Sequence, residues 1–113
     1  MELPKGCGDQ EYLAALDAAL QQVSLDATLA SKDISLGFRP DLVIYNAGTD
    51  VLAGDPIGKM GVSEQGVLAR DRRVFDWAAH RGVPICMLLS GGYTQRSAAV
   101  IVESIKSLLT GGE

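Results

Sequence analysis

A carboxylate and a phenol stand at comparable places in two glycine-rich stretches of this sequence. Asp50 follows the apolar run at 42–45, and Tyr93 follows the apolar run at 83–89. In open α/β sheets, ligands bind in the loops beyond the carboxyl ends of the strands. If the two runs are neighbouring strands, Asp50 could ligate a metal ion and Tyr93 could donate a hydrogen bond to an oxyanion. Such a pair of groups is expected in metal-assisted hydrolysis.

Ordinary structural roles are the alternative for the same residues. Turns favour aspartates such as Asp50 and Asp55, because the side chain bonds nearby backbone amides. Tyr93 could equally pack and bond a backbone group. Gly91 and Gly92 could instead cradle a phosphate at the start of the last helix, although neither a GxGxxG pattern nor a P-loop is present. Spacing alone leaves these alternatives open.

The elements that would position these residues follow the order helix, strand, helix, strand, helix. Asp9 is placed to cap the first helix, in which apolar residues recur at three-four spacing over 13–23. The continuous apolar runs at 42–45 and 83–89 predict two strands that are covered on both faces. A glycine-rich loop over 47–62 follows the first strand, and a loop of that length is usually functional.

The second and third helices carry clear boundary signals. Ser63 is placed to cap the second helix, and Gly82 supplies a left-handed stop after His80, the only histidine, which is predicted to be solvated or paired with the helix dipole. The apolar side chains predicted to form helical stripes are Val67, Leu68, Val74, Phe75 and Ala78, then Ala98, Ile101, Val102, Ile105, Leu108 and Leu109. Two buried strands joined by a helix form a right-handed crossover. The sequence therefore predicts a three-layer α/β/α fold with a parallel sheet.

Composition limits the classes of function. The 113 residues suit one domain. The 10 basic and 14 acidic residues give a net charge of -4, which does not support binding to nucleic acid. A hydrophobic fraction of 47% excludes disorder. Together with 13 glycines, it suits strands buried on both faces, or a piece whose missing half would cover part of it. We expect an intracellular protein with no membrane span and with reduced thiols at Cys7 and Cys86.

Two long motifs resemble the histone deacetylase family. Residues 40–58, with Tyr-Asn-Ala-Gly-Thr-Asp at 45–50, are similar to the metal-binding loop of that family. The details of that loop, and Ser-Gly-Gly-Tyr-Thr-Gln-Arg at 90–96, resemble class IV, the histone deacetylase 11-like branch. Residues 8–13 resemble the family helix that precedes the loop. The resemblance covers nearly the whole chain.

The resemblance implies an arginase/deacetylase-like α/β fold and zinc-dependent hydrolysis of acylated lysine side chains in histones or other proteins. Asp50 matches an aspartate ligand of the zinc ion, and Tyr93 matches the catalytic tyrosine that hydrogen-bonds the substrate carbonyl. Gly91 and Gly92 match the substrate-binding glycines that line the acyl-lysine channel. The implied setting is chromatin regulation in the nucleus, the cytoplasm or both, without direct binding of nucleic acid.

Other residues that such an active site needs are missing from the sequence. The Asp-x-His that supplies further zinc ligands in the family, and its pair of adjacent histidines, have no match here, because His80 stands alone. We therefore expect residues 1–113 to be the carboxy-terminal part of a histone deacetylase domain that is inactive by itself, as in a truncated isoform. A non-catalytic protein-binding fragment is the alternative, and a small nucleotide-binding unit is a weaker third possibility.

Overall fold

The computed structural model describes residues 2–25 and 40–111. It has the predicted order of elements, which are α1 (Asp9–Leu25), β1 (Val43–Asn46), α2 (Glu64–His80), β2 (Ile85–Leu88) and α3 (Arg96–Leu109). The second strand is shorter than the apolar run that predicted it. The polar stretch at 25–38 predicts a frayed helix end and a loop, and it lies almost entirely outside the described residues. None of the described helices is long and apolar enough to cross a membrane.

The two strands pair in parallel, which confirms the predicted class of fold. Val43 lies opposite Ile85 and Asn46 lies opposite Leu88, so the register is continuous along both strands. Parallel neighbours cannot be joined by a tight hairpin, and α2 provides the crossover between them. Because both strands end at the same edge of the sheet, the chain segments that follow Asn46 and Leu88 begin side by side.

Only one face of this sheet is covered by the described helices. On that face the Tyr45 hydroxyl donates to Asp71 of α2 at 2.6 Å. On the opposite face Ile44 is 65% exposed and Leu88 is 47% exposed, with the free thiol of Cys86 also exposed between them. The prediction that both faces of the strands are buried is therefore wrong for the described part of the chain, because none of its elements packs there.

The hydrophobic core lies beside the sheet, between the long loop and the helices. Its buried members are Leu52 and Val62 of the loop, Val67 of α2 and Val100 of α3. Leu52 and Val62 also form an isolated parallel bridge that joins the first half of the loop to its last residue. The loop is therefore an ordered part of the core, and it can hold functional side chains in fixed positions.

The buried side of α3 differs from the predicted apolar stripe. Its buried residues are Ser97, Val100 and Ser104, whereas Val102 is 49% exposed and Leu109 is 82% exposed. The serine-bearing side faces inward because a polar cluster on α2 lies beneath it, where the Ser104 hydroxyl donates to a buried carboxylate at 2.6 Å. The prediction that the apolar residues of this helix face the core is wrong for those exposed positions.

Both ends of α2 lie where the sequence predicted them, but the predicted cap at the start of α1 is wrong. Ser63 caps α2 by accepting a hydrogen bond from the Gly66 amide, and Gly82 has a φ of 63° just beyond the helix. Asp9 was predicted to cap α1, but it is the first residue of that helix. Its carboxylate accepts from the Ser63 amide at 2.7 Å and from the Ser63 hydroxyl at 2.5 Å. Asp9 therefore ties the start of α1 to the start of α2.

Candidate functional site

The pairing of the two strands continues into the loops that follow them. The Ala47 amide donates to the Leu88 carbonyl at 2.9 Å, and the Thr49 amide donates to the Gly91 carbonyl at 2.6 Å. Thr49 is buried, so its side chain and main chain are both held in the protein interior. These backbone bonds bring the segment that carries Asp50 against the segment that carries Gly91.

The side chains of Asp50 and Tyr93 converge above Gly91. A Cβ atom at Gly91 would lie 2.7 Å from Asp50 Oδ2 and 3.3 Å from Tyr93 Oη. Only glycine leaves this space free, because a contact of 2.7 Å is shorter than a Cβ atom tolerates. Tyr93 is 60% exposed, so a ligand can reach its ring from outside. The structure thus places the carboxylate and the phenol together, as the sequence predicted, while the chemical roles of both residues stay predictions.

Gly92 lies at a second tight point of the same site. Its φ is 153°, and a Cβ atom there would lie 2.1 Å from Thr49 Oγ1. A side chain at this position would therefore be strained and would also collide with the loop after β1. Gly91 and Gly92 together let the chain before Tyr93 pass directly against the chain before Asp50.

Asp55 joins the two loops, although its sequence context predicted only an ordinary turn residue. Its buried carboxylate accepts hydrogen bonds from the amides of Ile57 at 2.8 Å, Gly58 at 3.0 Å and Tyr93 at 2.9 Å. Burial acts to raise the pKa of the Asp55 carboxyl, but the three amide donors outweigh burial and lower that pKa below its usual value. An Asp-Pro pair inside a glycine-rich loop was the available signal, because it marks a turn. It could not reveal the distant bond to Tyr93.

A buried polar cluster on α2 supports the loop from below. Arg70 donates through Nη1 to the Gly48 carbonyl and through Nε to Asp71 at 2.9 Å. Asp71 also accepts from the hydroxyls of Tyr45 and Ser104, each at 2.6 Å. Burial and the neighbouring Asp71 raise the pKa of the Tyr45 hydroxyl well above its usual value, so the hydroxyl keeps the proton that it donates. The sequence patterns did not predict this cluster. The charged Arg70-Asp71 pair, set among apolar residues at helical spacing, was the signal that could have found it.

The described residues do not complete a zinc site by themselves. Catalytic zinc usually has three protein ligands, and the candidate site offers the carboxylate of Asp50. No group of three histidine, cysteine, aspartate or glutamate side chains within 2–25 and 40–111 could hold a metal ion. His80 is exposed at the end of α2, where its Nδ1 lies 2.7 Å from the carbonyl oxygen of Asp76. His80 is therefore exposed to solvent at a helix end, as predicted.

Known proteins resemble this chain in sequence and in fold. Residues 1–109 match the histone deacetylase domain. Histone deacetylase 2 of Arabidopsis thaliana is 44% identical over 108 residues, which are 96% of this chain and 25% of that protein. Histone deacetylase clr6 of Schizosaccharomyces pombe is 36% identical over 76 residues, which are 67% of this chain and 18% of that protein. The crystal structure of the HDA15 HD domain has a TM-score of 0.69 and 27% identity, covering 95% of this chain and 26% of that domain. The chain thus spans about a quarter or less of the length of these proteins.

Proposed function

Because the chain belongs to the histone deacetylase family, we propose that it is the carboxy-terminal segment of a zinc-dependent lysine deacylase. Its reaction would be the hydrolysis of N6-acyl-lysine amides in histones or other proteins. The convergence of the Asp50 carboxylate and the Tyr93 hydroxyl over Gly91 carries this proposal. A metal ligand and a phenolic donor would there flank the space that the substrate carbonyl occupies.

Each residue of the candidate site has a proposed role. Tyr93 is the catalytic residue of this chain, whose hydroxyl donates a hydrogen bond to the acyl carbonyl and stabilises the negative charge that develops on its oxygen. Asp50 is the zinc ligand that the described residues would supply. Gly91 and Gly92 line the channel of the acyl-lysine side chain. A side chain at Gly91 would fill the space between Asp50 and Tyr93, whereas one at Gly92 would collide with Thr49.

We propose that the protein belongs to the class IV branch of the family. The support is the resemblance of the loop ending in Asp50 and of residues 90–96 to that branch. Action on chromatin in the nucleus, on other proteins in the cytoplasm, or on both would follow from such an activity.

The 113-residue chain is proposed to be inactive alone, and a hybrid protein tests this directly. In the hybrid, the chain replaces the matching 108-residue stretch of Arabidopsis histone deacetylase 2. We expect the hybrid to hydrolyse an acetyl-lysine peptide and the separate chain to leave it intact. His80→Asn is the matched control and should leave the turnover of the hybrid unchanged, because His80 is exposed at the far end of α2. Turnover by the separate chain, or a folded and zinc-loaded hybrid without turnover, would contradict the proposal.

A non-catalytic protein-binding fragment is the second candidate function. The open sheet face around Ile44, Cys86 and Leu88 favours it, since large exposed apolar patches mark surfaces that contact other proteins. Monodisperse chain that unfolds cooperatively and reacts rapidly with a thiol reagent at Cys86 but not at the buried Cys7 would support this function. Aggregation that Ile44→Lys relieves would show instead that this face must be covered by the rest of a domain.

A further inference from the structure

We propose that Asp55 is a positioning residue that sets the separation between Asp50 and Tyr93. It acts through the main chain and is not in reach of the reacting groups by any bond that the structure shows. The inference rests on the proposed function, because it explains how the proposed donor Tyr93 is held beside the proposed ligand Asp50. Nothing in the resemblance to deacetylases assigns a role to this carboxylate.

The two oxygens of the Asp55 carboxylate bind two different segments. Oδ1 accepts from the amides of Ile57 and Gly58 in its own loop, whereas Oδ2 accepts from the amide of Tyr93 at 2.9 Å. The bond to Tyr93 spans 38 positions of the sequence. The carboxylate is 4% exposed, so water competes little for these donors. One side chain therefore fixes the backbone from which the phenol projects.

The same side chain also binds a residue, Gly58, that lies against the backbone of Asp50. Gly58, which Asp55 binds, lies so close to Asp50 that a Cβ atom there would be 1.8 Å from the Asp50 carbonyl oxygen. Asp55 thus holds Gly58 against Asp50 through Oδ1 and holds Tyr93 through Oδ2. The separation of the two functional groups therefore depends on this bridge together with the bonds that the amide and the hydroxyl of Thr49 donate to the Gly91 carbonyl.

The variant Asp55→Asn should break the bond to Tyr93 while it keeps the bonds to Ile57 and Gly58. The asparagine oxygen can keep the bonds to Ile57 and Gly58, because local turns accept either residue. Its NH2 group would then face the Tyr93 amide, and two donors cannot bond each other. Asp55→Ser is a second variant with a smaller side chain. Its hydroxyl can bond the amides of its own turn but cannot reach the Tyr93 amide. Asp9→Asn is the control, because Asp9 also uses both carboxylate oxygens on a distant residue, Ser63, away from the site.

The first measurement is amide hydrogen exchange in the 113-residue chain. Asp55→Asn should speed exchange of the Tyr93 amide by about tenfold, the loss expected for one hydrogen bond, while Gly58 keeps its protection. Asp9→Asn should leave the exchange of Tyr93 unchanged. Unchanged exchange of Tyr93 in both Asp55 variants would overturn the proposal, whatever the hybrid protein does.

The second measurement is turnover in the hybrid protein. A misplacement on the order of 1 Å costs up to about 100-fold, so Asp55→Asn should lower kcat by about 10- to 100-fold with a smaller change in KM. In a Tyr93→Phe background the same substitution should cost less than about threefold, because the group that Asp55 positions is already gone. An equal loss in both backgrounds would reduce Asp55 to a general structural role and overturn the proposal. Unchanged turnover in Tyr93→Phe alone would instead refute the proposed function of Tyr93, and the exchange measurement would still decide the role of Asp55.

Discussion

Asp71→Ala should destabilise the protein far more than the loss of any single partner of this carboxylate. Asp71 is 3% exposed and accepts from Tyr45 and Ser104 at 2.6 Å each and from Arg70 at 2.9 Å. Alanine removes all of these acceptor sites at once. It also leaves the guanidinium of Arg70, which is 4% exposed, without a counter-charge.

The size of the effect follows from these contacts. Removing one partner of a buried ion pair costs about 3–5 kcal/mol, because the remaining charge stays buried and uncompensated. The two hydroxyls that lose their acceptor add to this cost, but not in full, because neighbouring effects are not additive. Tyr45→Phe and Ser104→Ala remove one donor each and should cost about 1 kcal/mol apiece. Since domains are stable by about 5–15 kcal/mol, Asp71→Ala removes a large share of the total.

Urea denaturation of the chain, followed by circular dichroism, measures these differences. Asp17→Ala is the matched control, because it breaks the ion pair with Arg73, in which both side chains are well exposed, and should cost less than about 1 kcal/mol. A midpoint for Asp71→Ala that falls no lower than that of Ser104→Ala would refute the account of this cluster.

Three further predictions concern the loops of the candidate site. Because folding lowers the pKa of Asp55, its carboxylate stabilises the fold above the ordinary pKa of 3.8, and this contribution is lost as the pH falls through the lowered value. The difference in unfolding free energy between the wild type and Asp55→Asn should therefore shrink in acid, as urea titrations at several pH values would reveal; a constant difference would contradict it. Gly91→Ala should lower the turnover of the hybrid with little change in its melting temperature, because the new methyl group would displace the flexible end of Asp50. Gly92→Ala should lower both quantities, because it adds strain at a φ of 153°; equal melting temperatures for the two alanine variants would argue against this distinction.

Local signals and general rules of topology were enough to predict much of the fold. The ends of α2 follow from Ser63 and Gly82, whose capping roles depend only on nearby backbone. The parallel pairing follows from two apolar runs joined by a helix. Parallel strands also place their carboxyl ends together, and for this reason the meeting of Asp50 and Tyr93 could be predicted without coordinates.

Apart from the open face of the sheet, the failures concern polar side chains that bond residues far away in the sequence. Asp9 binds Ser63 instead of its own helix, and Ser104 binds Asp71, so serines take the buried side of α3. Periodicity assigns the inner side of a helix to apolar residues and cannot foresee such a cluster. The role of Asp55 was missed for the same reason, because a turn-forming aspartate looks the same in a sequence whether or not it also holds a second loop.

We propose that this chain brings a zinc ligand, Asp50, and an oxyanion donor, Tyr93, to a deacetylase active site. The most direct measurement compares the zinc content and the turnover of the hybrid carrying Tyr93→Phe with those of the unaltered hybrid. We expect full zinc content with turnover reduced by about 100- to 1,000-fold, because one donor to the oxyanion is removed. Unreduced turnover in the zinc-loaded Tyr93→Phe hybrid would contradict it.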